Sequence, residues 1–171
     1  MTDFARLSAS VDQVSRYHDK KSQKGKVGVG LNTHEATDST LKVIVYANDL
    51  MSYTLKVTQN APKHYRFTFI SRLQNLSMDI VELMLLANDV FVTKANIHKT
   101  AEQRIHYQQQ ALSKLRAIGY FSLEAQKYDA IKLKHAIQMN KQGANCIKFL
   151  QAWMKSDRVK YQNIYHLLQQ E

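Results

Sequence analysis

Residues 122–155 read SLEAQKYDAIKLKHAIQMNKQGANCIKFLQAWMK, and lysine returns at every seventh place in them, at Lys127, Lys134, Lys141, Lys148 and Lys155. The stretch has no proline and a single glycine, Gly143, so no residue in it stops a helix outright. On a helix rising about 1.5 Å per residue, the five ammonium groups lie along about 42 Å of one side. A seven-residue step falls about 20° short of two turns, so the row winds slowly round the axis. A row of this kind suits a polyanion, although lysine on the solvated face of any amphipathic helix gives the same spacing. The apolar residues divide into two sets. Tyr128, Ile131, His135, Met139, Cys146, Phe149 and Trp153 make an inner seam, whereas Ala130, Leu133, Ile137, Ala144, Ile147 and Met154 make a second stripe beside the lysines. One buried face is enough for a bundle helix, so the second stripe predicts contact between subunits through Leu133, Ile137, Ala144, Ile147 and Met154. The competing use is a seat for the N-terminal residues.

Working outward, Ser122 reads as the cap of this fourth helix, with Glu124 in its first turn. Gly119 reads as the left-handed end of a third helix from Ile97 to Ile118, through Ala101, Ile105, Leu112 and Leu115. The second helix starts at Phe67 or Phe69 and buries Ile70, Leu73, Leu76, Ile80, Leu83, Met84, Ala87 and Phe91, at the spacing of a bundle seam. Asn60-Ala61-Pro62 breaks a first helix that Asp38 or Ser39 caps and that Leu41, Ile44, Val45, Met51 and Leu55 mark. The expected fold is all-α: an antiparallel up-down four-helix bundle over residues 41–171. Residues 1–40 are expected to form an arm and flexible linker. In it the spacing of Phe4, Leu7, Val11 and Val14 predicts a short amphipathic helix over Asp3–Tyr17, followed by the basic, glycine-rich KKSQKGKVGVG of Lys20–Gly30 and the polar Leu31–Thr40 as linker. A strand around Val27 and Val29 is the lesser alternative.

Composition narrows the partners. The chain of 171 residues carries 24 Lys and Arg against 14 Asp and Glu, a net charge of +10. The excess concentrates between Lys99 and Lys160, where 12 basic residues face only Glu102, Glu124, Asp129 and Asp157. Such a field draws nucleic acid by long-range attraction and counterion release. No run approaches the roughly 20 apolar residues of a spanning helix, and Met1–Ser10 lacks the pattern of a signal peptide, so a cytoplasmic protein without membrane contact is expected. With 44% hydrophobic residues the chain can fill one real core, and one proline with five glycines leaves few turns between long helices. The lone Cys146 has no internal partner and reads as a packed thiol.

No arrangement of residues reads as catalytic, and no cofactor is implied. Di-metal bundle enzymes need Glu-x-x-His pairs, which the chain lacks. His98, Glu102 and His106 share a helical face, but at this spacing three polar residues more often face water than hold a metal. His135 reads as a hydrogen-bonded core histidine, and KGKVGVG lacks the Lys-Ser/Thr ending of a phosphate loop. The better candidates precede the second helix. Lys63 and Arg66 are expected to be exposed and to hold phosphate, with Tyr65 stacking on an unpaired base, while Phe67 and Phe69 are expected to be structural. Arg72 either pairs with Asp79 or a neighbouring subunit, or joins the nucleic-acid surface.

The segment Pro62-Lys63-His64-Tyr65-Arg66-Phe67-Thr68-Phe69-Ile70-Ser71-Arg72-Leu73, with the apolar helix through Glu82-Leu83, resembles the loop and second helix of a bacterial four-helix-bundle family. That family includes the accessory variability determinants of diversity-generating retroelements and the proteins encoded in 23S rRNA intervening sequences. Gly143-Ala144-Asn145-Cys146-Ile147-Lys148-Phe149-Leu150-Gln151-Ala152-Trp153-Met154-Lys155-Ser156 resembles the end of the last helix in the accessory determinants, and Leu112–Ser122 looks like their turn between helices three and four. The resemblance covers roughly Leu41–Arg158. It implies a barrel-like homopentamer of bundles, basic on its surface, that binds nucleic acid and the element's reverse transcriptase. The expected function is therefore a non-enzymatic protein holding template RNA or RNA/cDNA hybrid near that polymerase, through Lys63, Arg66, Arg72 and the lysine row. The alternative is an oligomeric structural adaptor for an acidic protein, with no nucleic acid involved.

Overall fold

A computed structural model of the chain describes residues 33–170, with side chains from Lys42 onward. Among the described residues there are four long helices and no strand. They are α1 (Thr33–Thr58), α2 (Ser71–Asp89), α3 (Ile97–Lys127) and α4 (Leu133–Leu168). The expected helix over Asp3–Tyr17 and the linker as far as residue 32 lie outside the described residues. No described helix is long and apolar enough to cross a membrane.

Contacts between the helices give their directions. Tyr46 of α1 stacks on Phe149 of α4 with ring centroids 4.9 Å apart, and further along α1 the Tyr53 hydroxyl meets His135 Nδ1 at 2.8 Å. Rising numbers on one helix meet falling numbers on the other, so the pair is antiparallel. The same holds for α2 and α3, where Arg72 lies over Phe121 and Asp79 bonds Lys114, and for α3 and α4, where Arg104 bonds Asp157 and Ser122 bonds Asn140. All four helices feed one core. Val43, Ala47 and Leu50 enter it from α1, and Leu73, Leu76, Ile80 and Met84 from α2; Leu115 and Ile118 come from α3, and Met139, Leu150 and Trp153 from α4. The long α3 and α4 run on past this core and make a smaller cluster of Ile97, Ala101 and Tyr161.

Boundaries differ from the expectation in three places. First, α1 begins at Thr33, so Asp38 and Ser39 lie inside it and are no cap, and 33–40 is helix where a linker was expected. Residues 33–60 contain neither glycine nor proline, so a helix nucleated downstream extends upstream at only the small cost of residue propensity. Second, α2 proper starts at Ser71, after a 3-10 turn at Lys63–Tyr65 and a π turn at Arg66–Ile70. It ends at Asp89 with Val90 extended, which leaves Phe91 beyond the helix and 78% exposed instead of in the seam; Leu83 is half-buried.

Third, α3 does not stop at Gly119. It runs through Leu112–Ser122 as helix, and Ser122 caps nothing. A methyl group on Gly119 would meet Asn140 Oδ1 at 3.0 Å, so the missing side chain serves the close approach of α4. The Ser122 hydroxyl donates to the Gly119 carbonyl and accepts from Asn140 Nδ2, both at 2.8 Å. Glycine and serine, which read as punctuation, instead knit two helices together. The actual turn is Tyr128–Lys132. Ala130 N donates to Ala125 O at 2.8 Å and Asp129 N to Gln126 O at 3.0 Å, with Asp129 at φ 55°. These two bonds are a Schellman ending with aspartate where glycine is usual. Asp129→Gly is therefore expected to raise stability by about 1 kcal/mol, because glycine adopts this conformation without a Cβ clash and removes a negative charge from a helix C-terminus. A urea midpoint that rises at constant m-value is the expected reading; a fall would show that the carboxylate makes a stabilising contact here.

Candidate nucleic-acid interface

Moving the turn to 128–132 splits the lysine row. Lys127 ends α3, where its ammonium donates to Glu124 Oε1 at 2.6 Å, and that hydrogen bond, with the attraction of the carboxylate, raises its pKa. It is not part of the α4 row. Lys134, Lys141, Lys148 and Lys155 remain, all on α4 and all exposed. The buried residues of that helix include Ala136, Met139, Gly143, Cys146, Leu150, Trp153 and Met154. At about 100° per residue, the four lysines lie opposite the centre of this arc, along about 32 Å. None of the four has an acidic partner among the described residues.

The second apolar stripe is only partly outward. Met154 belongs to the core and Ile147 is half-buried against it, while Ala130 and Ile131 are buried in the turn. The α4 helix packs between α1 and α3, so its buried arc is wider than one seam and takes in part of the second stripe. Leu133, Ile137 and Ala144 are exposed, Ile137 to 58%. Tyr128, expected in the inner seam, is also exposed, because it ends α3 and is not part of α4.

At the turn end of the bundle, the segment before α2 meets the α3–α4 turn. Lys63 and Arg66 are exposed. Tyr65 and Phe69 pack on the core, and Phe69 stacks on Tyr128 with centroids 5.4 Å apart. Phe67 corrects the expectation: it is 87% exposed. The π turn turns Phe69 and Ile70 inward and leaves Phe67 outside. Lys56 and Lys132, which both line a cavity of about 680 Å³, join this end together with His135, Asn60 and Asp129. Neither lysine was singled out from sequence, because only the tertiary fold brings 56 and 132 together. Arg72 lies elsewhere, on the α2–α3 side over the Phe121 ring, and Asp79 pairs with Lys114 at 2.7 Å instead.

A buried polar cluster near the other end had no sequence signal. Arg104 Nε donates to Asp157 Oδ2 at 2.9 Å, Gln108 Nε2 donates to the same oxygen at 2.6 Å, and Arg104 Nη1 donates to the Val90 carbonyl at 3.1 Å. The guanidinium also lies 5.1 Å over the Trp153 ring. Burial first, and then the Asp157 carboxylate, push the Tyr161 phenol up to about 12. These groups tie α3, α4 and the loop after α2; the positions of their atoms give them a structural role.

His135 is half-buried and bonded to Tyr53, as expected of a core histidine. Burial, then the charges of Lys134 and Lys132, hold its imidazole below the ordinary value, and burial raises the Tyr53 phenol. With the folded value below the unfolded one, the unfolded chain takes up the proton first as pH falls. This contribution is present above about pH 6.5 and is lost below it. The melting temperature of the unmodified protein should therefore fall more between neutral and mildly acid pH than that of His135→Gln; equal slopes would refute the coupling. Burial, then Asp49, push the Cys146 thiol up to about 12, so it stays protonated and unreactive. His98, Glu102 and His106 are exposed with separate neighbours, His98 against Tyr165 and His106 bonded to Gln110.

No protein-family model, curated protein or solved structure matches this chain.

Proposed function

We propose that the chain is a non-enzymatic protein that binds nucleic acid through backbone charge, with little base readout, on the outward face of α4. The observation that supports this reading is the set of four exposed lysines, Lys134, Lys141, Lys148 and Lys155, without acidic partners among the described residues and opposite the buried arc of one long helix. A slowly winding positive row about 32 Å long matches the repeating charge of a phosphate backbone better than it matches any single anion. Lys63 and Arg66 extend the positive surface at the turn end, whereas Arg72 and Lys127 contribute less, one lying over a ring and the other bonded to a carboxylate. The resemblance of 62–73 and 143–156 to accessory variability determinants gives the reading its setting: template RNA or RNA/cDNA hybrid held near a reverse transcriptase in the cytoplasm. It also gives a homopentamer, for which exposed Leu133, Ile137 and Ala144 are the available contacts.

Fluorescence anisotropy with labelled RNAs of unrelated sequence, over a range of salt, tests the central claim. Affinities should be similar among sequences and fall steeply with salt, by roughly 0.7 to 0.9 in log-log slope for each phosphate contact. Binding that ignores salt or follows one sequence would defeat it. Light scattering reads the subunit number, and a monomer would remove the ring.

A further inference from the structure

We infer that the turn end of the bundle is a stacking platform for the unpaired bases of a single strand, which the α4 lysines guide to it by its phosphates. This rests on the nucleic-acid reading and deepens it by naming the class of nucleic acid. Four rings form a continuous row there: His64 to Tyr65 at 4.0 Å, Tyr65 to Phe69 at 5.9 Å and Phe69 to Tyr128 at 5.4 Å between centroids. Tyr65 and Phe69 are anchored on the core, which holds the row in place. Its end is open: among the described residues Tyr128 has one stacked partner and remains 56% exposed, and Phe67 stands 87% exposed with no ring against it. A bare phenylalanine on a charged surface forfeits its burial unless a partner covers it.

Charge identifies that partner. Lys63 and Arg66 lie in the segment that carries three of the rings, Lys56 and Lys132 line the cavity that Pro62 and Asp129 also line, and none of the four has an acidic partner among the described residues. The nearby acids are Asp129, and Glu124, which Lys127 already engages. An apolar protein surface would suit Phe67 but not the cations, and an acidic peptide would suit the cations but not a row of rings. Unpaired bases on a phosphate chain suit both, since every base has a face that stacks on an aromatic ring. A duplex hides those faces and can use only the lysines. Continuity supports the assignment: Lys132 immediately precedes α4 and Lys134 lies in its first turn, so the lysine row begins at the platform.

The experiment compares a labelled oligouridine strand with a blunt RNA duplex of the same length. Phe67→Ala with Tyr128→Ala should weaken binding of the single strand by about tenfold or more, the effect of losing stacked bases, and leave duplex binding unchanged. Phe67→Ala alone touches no buried group and should show a smaller loss in the same direction, with circular dichroism melts reporting the fold of both. A single-strand affinity that does not change, or equal losses for strand and duplex, would overturn the platform while leaving charge-driven binding in place. If the unmodified protein binds neither RNA, both this inference and the proposed function fall.

Discussion

Asp157→Ala should lower the unfolding free energy by about 3–5 kcal/mol, the range for removing one member of a buried ion pair. Asp157 and Arg104 keep only 8% and 16% of their side-chain surface in water, so the stranded guanidinium finds little solvent to replace the carboxylate. Gln108 is fully buried and its Oε1 already has no partner, so it would lose the one hydrogen bond its amide nitrogen makes. Arg104 also holds the Val90 carbonyl, which couples the cluster to the loop at 90–96. Urea unfolding measures the loss, and amide exchange should show faster opening of that loop. The double replacement Arg104→Met with Asp157→Leu should be less damaging than the two single losses added together, because no charge is left buried. A loss below about 1 kcal/mol for Asp157→Ala would show that water reaches the site and that the pair behaves as a surface bridge.

Replacing Lys134, Lys141 and Lys148 together by Gln should weaken RNA binding on the order of a hundredfold at about 0.1 M salt. Each lost phosphate contact removes roughly 0.7 to 0.9 from the log-log salt slope, and three together account for that fall. The effect should be the same for strand and duplex and for unrelated sequences, which separates it from the platform variants. Stability should scarcely change, since all three side chains are exposed and opposite the core. An unchanged affinity and slope would move the binding site away from α4, with Lys56, Lys63, Arg66 and Lys132 the next positions to replace.

The readings that succeeded were those resting on long apolar periodicity. Leu73, Leu76, Ile80, Met84 and Ala87 recur at helical spacing, and no alternative structure buries all of them on one side, so α2 and its core face were legible without coordinates. The exposed lysines of α4 were legible for the same reason, because a charge that returns every seventh residue drifts only about 20° per step and stays on one side of a helix over about six turns. Helix ends were not. Gly119 and Ser122 carry the residue types of a turn, yet they are where α3 and α4 approach each other, and Asp129 turns the chain in a conformation that residue type alone does not demand. Their roles depend on what lies across from them.

The amino-acid sequence by itself thus determined an all-helical fold for the described residues and a basic last third, because periodicity and charge are properties of neighbouring residues along the chain. Tertiary structure decided which lysines share a helix, that Met154 is core and Ile147 half-buried against it, and that Arg104 meets Asp157. It also brought Tyr65, Phe69 and Tyr128 into one row. Each of these is a contact between residues far apart in the chain, set by the packing of whole helices on one another, and spacing along a single segment holds no record of it.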